Sequence, residues 1–213
     1  FPLHILPLGA SITWGQQSTD GNGYREHLRN LLQERSTVVD MVGSVQSGQM
    51  GDNNNEGHPG ARLHQVARYA KVGRVFKPNL ILINAGTNDV VKEDPEYPIE
   101  KIGERMDALV GQLFEENPGV TIILSTLLVN GHDDADKRIR EIVNPQYNDI
   151  VKFRQQKMQR ILLADLYSAC KVVDLVDGTH PNDEGYKKVA EAWLKAIQQA
   201  GHEGLLVEPR HVV

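Results

Sequence analysis

Leu80-Ile81-Leu82-Ile83-Asn84-Ala85, closed by Gly86 and followed by Thr87-Asn88-Asp89, is the stretch on which the fold turns. An apolar run this short, with no polar alternation and a glycine at its end, reads as a strand buried on both faces. The same form recurs on either side of it. Leu3 to Leu8 is an apolar run ended by Gly9, Thr37 to Val42 is β-branched and ends at Gly43, and Val120 to Ser125 follows the turn Asn117-Pro118-Gly119. Val172 and Val173 mark a short final strand. Between these runs lie helical spacings over Tyr24 to Arg35, Leu63 to Phe76, Ile99 to Phe114, Pro145 to Leu163 and Asp183 to Ala200, with Pro78 stopping the second of them. Strand and helix in alternation predict an α/β chain: a five-stranded parallel sheet between helical layers, a three-layer α/β/α sandwich of flavodoxin-like form. Ligands in such folds sit outside the carboxyl ends of the strands, so the loops after Leu8, Gly43, Ala85, Ser125 and Asp174 are where chemistry belongs.

The 213 residues suit a single domain, 1–213, without repeats or a linker. A formal net charge of -5 without a basic stretch argues against a nucleic-acid partner. No apolar run is long enough to span a membrane. The single cysteine, Cys170, allows no intrachain disulfide, and neither a Cys/His zinc pattern nor HExxH occurs. Asp52, Asn53, Asn54, Asn55 and Glu56 match no calcium loop and read as a solvated, mobile segment. No metal or cofactor is expected.

Three of the expected loops carry candidate chemistry. Gly9-Ala10-Ser11-Ile12-Thr13-Trp14-Gly15 puts a serine between strand and helix, where its hydroxyl and its own N–H can face one crevice. Taken alone, this is also a turn, a helix cap or a phosphate-binding loop without the Walker lysine. In Gly86-Thr87-Asn88-Asp89, the Asn88 amide can donate to a developing oxyanion, or merely cap a helix. In Asp177-Gly178-Thr179-His180-Pro181, a carboxylate three residues before an imidazole can fold back onto its Nδ1, fixing the tautomer in which Nε2 takes a proton from serine. Asp174 and Asp183 are rival carboxylates. Each motif is weak singly; their order along a parallel sheet makes them a constellation, with the two ends of the chain meeting at one cleft.

These blocks resemble the SGNH (GDSL-type) hydrolases. Gly9-Ala10-Ser11-Ile12-Thr13 is similar to that family's Gly-Asp-Ser block with Ala10 in place of the aspartate; Gly86 to Asp89 match Gly-x-Asn-Asp, and Asp177 and His180 match Asp-x-x-His. The resemblance implies a triad of Ser11, His180 and Asp177, with an oxyanion hole from Ser11 N–H, Asn88 and a glycine N–H. Gly57 in Glu56-Gly57-His58-Pro59-Gly60 is the best match for that glycine, with Gly43 and Gly60 in reserve. Leu6-Pro7-Leu8-Gly9, Asp40-Met41-Val42-Gly43-Ser44 and Glu56 to Gly60 further resemble carbohydrate esterase family three. That implies acetyl xylan esterase activity: a monomeric, secreted enzyme acting on acetylated plant polysaccharide. A chain beginning at Phe1 rather than methionine agrees with a removed signal peptide. Trp14, His58, Thr87 and Thr179 are the substrate-side candidates, each equally readable as loop or core support. The competing readings are a lysophospholipase or lipid thioesterase of the same class, a non-catalytic flavodoxin-like binding domain, and a polysaccharide-binding lectin with an idle triad.

Overall fold

The computed structural model describes residues 1–92 and 94–209; residues 93 and 210–213 of the expected 1–213 domain lie outside the described residues. In chain order the elements are β1 (Leu3–Gly9), α1 (Ser11–Trp14), α2 (Tyr24–Gln33), β2 (Val39–Met41), β3 (Val45–Gln46), β4 (Asn54–Gly57), α3 (Leu63–Gly73), β5 (Leu80–Asn84), α4 (Thr87–Val91), α5 (Ile102–Glu116), β6 (Thr121–Ser125), α6 (Asp133–Arg138), α7 (Asn144–Gln156), β7 (Ile161–Ala164) and α8 (Asp183–His202). β1, β5, β6 and β7 run parallel side by side, with Leu8 opposite Ile83 and Ile83 opposite Leu124.

The pleat divides each strand between two cores. Leu6 and Leu8 of β1, Ile81 and Ile83 of β5, and Ile122 and Leu124 of β6 pack into one cluster with Leu63 and Val66 of α3, Met106 and Val110 of α5, and Tyr147 of α7. Leu3, Ile5, Leu80, Leu82 and Ile123 face the other, with Tyr24 and Leu28 of α2 and Val189 and Trp193 of α8. Burial on both faces is why these strands read as unbroken apolar runs. The molecule is the expected three-layer α/β/α sandwich with a mostly parallel sheet.

The sheet differs from the sequence reading in two places. The last parallel strand is Ile161–Ala164, not Val172 and Val173, which lie half-exposed and exposed in a 3₁₀ turn. The helical spacing from Pro145 breaks at Met158, which takes a positive φ of 59° and is 90% exposed. Methionine is not a residue that announces a left-handed turn, so the break carried no signal. The second difference is on the outer side of β1. Its first half pairs with β2 and its second half with β4, which forms an antiparallel pair with β3, so the sheet has seven strands rather than five. The segment read as solvated and mobile is therefore partly a strand: Asn55 and Glu56 are buried, and Asp52 accepts from Arg29 Nε at 2.8 Å.

Candidate active site

Ser11 sits where β1 gives way to one turn of helix. Gly9 passes against β5 so closely that a Cβ there would lie 2.2 Å from the Asn84 carbonyl oxygen, which reserves the position for glycine. Ala10, where the resemblance expects aspartate, is buried as part of the larger apolar cluster. A carboxylate in that apolar setting would need a partner, and alanine needs none. Behind the turn lies a group that sequence reasoning missed. The guanidinium of Arg25, fully buried, donates to the carbonyls of Thr13, Trp14, Gly21, Ser47 and Asn53 and to Ser47 Oγ, at 2.9–3.1 Å. Burial pulls its pKa below the usual arginine value, against the nearby Tyr24, Tyr186, Asp20 and Asp52. Thr13 and Trp14 are the end of α1, so one cation ties the nucleophile's turn to α2 and to the β3–β4 hairpin. An arginine in an amphipathic helix gives no hint of this.

His180 and Asp177 lie in a loop closed on itself. Val176 N–H donates to His180 O at 2.9 Å, Asn182 N–H to Asp174 O at 2.8 Å, and the Asn182 side chain caps α8 by accepting from Gly185 N–H at 2.9 Å. Asp177 Oδ1 accepts from the main-chain N–H of Thr179 and of His180 at 3.1 and 2.9 Å, and Asp177 Oδ2 is 2.8 Å from His180 Nδ1. Burial would raise the Asp177 carboxyl, but the His180 and Thr179 N–H groups and the imidazole outweigh it and hold it at about 2. An ionised carboxylate only accepts, so Nδ1 carries the proton. Nε2 then offers its lone pair to Ser11 Oγ, 2.8 Å away. A hydroxyl near the amino end and an imidazole 169 residues later thus come within proton-transfer reach. The rival carboxylates are engaged elsewhere: Asp174 with Lys188 Nζ at 2.6 Å, and Asp183 with the Thr19 hydroxyl and N–H at 2.6 and 2.8 Å.

Gly57 does not fit the oxyanion role assigned to it. Its N–H donates to Asn55 Oδ1 at 2.8 Å, and it is buried against Trp14, whose N would lie 2.4 Å from an added Cβ. Gly43 packs on the Asn55 carbonyl, 2.1 Å from where its Cβ would be. Gly60, the remaining reserve, is exposed with φ +79°, open space around it, and no acceptor for its N–H among the described residues. Ser11 N–H is likewise without one. The Asn88 side chain donates one amide hydrogen to Ala61 O at 2.9 Å, next to Gly60, which leaves its second hydrogen available. Asp89, buried, accepts from Leu63 N–H at 2.8 Å and pairs with Arg105 at 3.3 Å. Consecutive side chains on α4 therefore pin the Gly60 turn from below. Gly86, with φ +120°, leaves room for the Tyr147 hydroxyl, which donates to Ala85 O at 2.8 Å.

The substrate-side candidates separate. Trp14 is half-buried, its carbonyl taken by Arg25 and the Ser47 hydroxyl. His58 is turned onto Glu56, with Nε2 2.6 Å from Oε1, and stacks on Tyr69. Thr87 opens α4 directly before Asn88. Thr179 Oγ1 accepts from Asn130 Nδ2 at 3.2 Å, and Gly131 N–H donates to Gly178 O at 2.7 Å, so the loop after β6 braces the histidine loop. Burial pushes the Cys170 thiol up to about 11, which makes it a core residue and not a nucleophile. Among the described residues, no group of three or more His, Cys, Asp or Glu is arranged to hold a metal ion.

Residues 8–188 match the model of the GDSL-like Lipase/Acylhydrolase family. A multidomain esterase of Ruminococcus flavefaciens is 28% identical over 92% of this chain, and the match covers 28% of that relative's own length. Among solved structures, a family 3 carbohydrate esterase of Clostridium thermocellum superposes with TM-score 0.82 at 23% identity, covering 95% of this chain and 99% of the other. An acetylxylan esterase of Geobacillus stearothermophilus does so with TM-score 0.66 at 22% identity, covering 92% and 94%.

Proposed function

The chain belongs to the GDSL-like lipase/acylhydrolase family, and on that premise we propose that it is a serine esterase that removes acetyl groups from plant polysaccharide such as xylan, outside the cell. The observation that carries the reading is the relay from Asp177 through His180 to Ser11, closed by contacts of 2.8 Å at each end. A phosphate-binding loop or a flavin site has no use for such a relay. All three groups of the relay come from one chain.

In the proposed reaction Ser11 Oγ attacks the ester carbonyl carbon as its proton passes to His180 Nε2. The carbonyl electron pair moves onto oxygen, which rests against Ser11 N–H, Gly60 N–H and the free hydrogen of Asn88. The tetrahedral centre collapses, the sugar C–OH departs with the proton from His180, and acetyl remains on Ser11. Water then gives its proton to His180 and its oxygen to the acyl carbon, and acetate leaves as Ser11 regains its proton. Asp177 stays ionised throughout and stabilises the imidazolium.

The preference for a sugar ester over a lipid rests on what surrounds the relay. Gln17 Nε2 lies 3.5 Å from Asp177 Oδ2, the buried Asn130 amide donates to Thr179 Oγ1, and His132 packs on Gly178, so polar side chains border the histidine loop. The solved carbohydrate and acetylxylan esterases of the same fold support this substrate class. A polymer of that kind is met outside the cell, which supports secretion. The test is acetate release from acetylated xylan beside p-nitrophenyl esters of increasing chain length. Acetyl esters are expected to be the best substrates and Ser11→Ala to abolish their hydrolysis in a folded protein. Preferential cleavage of octanoyl esters would transfer the reading to the lipid-ester alternative.

A further inference from the structure

Glu56 is a charged residue in a place that strands normally give to apolar ones. It lies at the inner edge of the sheet, in register with Leu8, and is fully buried. Its carboxylate accepts from Ser44 N–H and from the Ser44 hydroxyl, both at 2.9 Å, and from His58 Nε2 at 2.6 Å. Among the described residues, His58 is the group paired with it that can carry positive charge. Because a carboxylate only accepts, Nε2 bears a proton, and the imidazole is held by one edge. Its face is held as well, stacked on Tyr69 with 3.6 Å between centroids and 13° between planes. The ring is therefore fixed in both directions.

The backbone of the same residue joins the two halves of the site. His58 N–H donates to Gly9 O at 3.1 Å, two residues before Ser11. Its carbonyl accepts from Ala61 N–H at 3.0 Å, which closes the turn holding Pro59 and Gly60. Neither side chain is hydrogen-bonded to Ser11 or His180. Resting on the assignment of Gly60 to the oxyanion hole, we propose that Glu56 and His58 are a positioning pair: the buried carboxylate fixes the imidazole, and the imidazole fixes the turn that aims Gly60 N–H at the oxyanion. Displacement of a reacting group by an ångström costs turnover on the order of 10²-fold. A donor that matters only as charge develops should surrender kcat and leave KM alone.

His58→Phe keeps the ring and its stacking on Tyr69 but removes the donor to Glu56; His58→Gln keeps a donor and loses the ring. With p-nitrophenyl acetate, His58→Phe is expected to lower kcat by roughly ten- to a hundred-fold with KM within two-fold. His58→Gln is expected to recover most of that loss. The rate at which a fluorophosphonate labels Ser11 should fall in step, since its phosphoryl oxygen occupies the same hole. A folded His58→Phe with kcat and labelling within two-fold of the parent overturns the pair, as does a glutamine variant no better than phenylalanine. Should His58→Phe fail to fold, Glu56→Gln is measured by the same criteria. Failure of the substrate reading looks different: the parent would cleave no acetyl ester, while labelling rates would still report on the pair. An unaffected Asn88→Ala would remove Asn88 from the oxyanion hole and leave the Gly60 turn to be judged by the His58 variants.

Discussion

Asn88→Ala separates an oxyanion donor from a helix-start asparagine that merely supports its loop. The proposed oxyanion hole has three hydrogens, of which Ser11 N–H and Gly60 N–H are on the main chain, have no backbone acceptor among the described residues and survive the substitution. The third, the free hydrogen of Asn88 Nδ2, is lost. Removing one side-chain donor of this kind costs about 10²–10³ in kcat, or roughly 2.7–4 kcal/mol of transition-state stabilisation. The same nitrogen donates to Ala61 O at 2.9 Å, so the turn bearing Gly60 also loosens and the upper part of that range is expected. The stability cost is separate and smaller: one partly buried hydrogen bond is worth about 1 kcal/mol, which lowers Tm by about 2–4 °C in a chain of this size. The assay is steady-state hydrolysis of p-nitrophenyl acetate beside a thermal melt. The expected result is a kcat loss of at least about a hundred-fold with KM near the parent value. A loss confined to KM, or a kcat within three-fold of the parent, would refute the oxyanion role and leave Asn88 as a loop anchor.

Asp177→Asn keeps an acceptor for the Thr179 and His180 N–H groups but presents an amide to Nδ1. The ring then favours the tautomer whose Nε2 holds a proton and cannot take one from Ser11, and kcat should fall on the order of 10⁴-fold; activity within ten-fold of the parent would contradict the relay. The same carboxyl has a pH signature. Its folded value of about 2 lies below the ordinary 3.9, so its stabilising contribution is fully present above about pH 4 and is lost as pH falls through 2. The Tm difference between parent and Asp177→Asn should accordingly shrink from pH 5 towards pH 2.5, and a constant difference would remove the charge from the account. Arg25→Met leaves five carbonyls and the Ser47 hydroxyl without their buried donor. Breaking such a buried charged network costs about 3–5 kcal/mol, or roughly 10 °C of Tm. A melt within 2 °C of the parent would show that the hairpin and the nucleophile's turn hold without it.

What could be read in the sequence and what could not divide along a physical line. Ser11, Asn88, Asp177 and His180 each sit in a motif whose chemistry lies within a few neighbouring residues, and the strand-ending glycines Gly9 and Gly86 placed the motifs of Ser11 and Asn88 at one end of the sheet. Gly57 and Gly60 share one five-residue stretch, and the choice between them depends on a side-chain oxygen, Asn55 Oδ1, that occupies the first N–H and not the second. No spacing encodes that preference. Arg25 and Glu56 were invisible for a related reason. Each is a charge in a segment read as an ordinary helix face or a solvated loop, and each is held by groups that only the fold brings near: Asn53, 28 residues from Arg25, and Ser44, 12 residues from Glu56. The strand β4 was missed because Asn54-Asn55-Glu56-Gly57 has no apolar pattern; its polar side chains are satisfied inside the molecule, by Gly43 O, Ser47 Oγ and Ser44. Burying polar groups in that way is costly unless nearly every one finds a partner. Here it is done on the edge of the sheet that carries both the nucleophile's strand and the Gly60 turn. The residues that perform the proposed reaction are thus the legible ones, and those that hold it to an ångström are the ones a linear reading passes over.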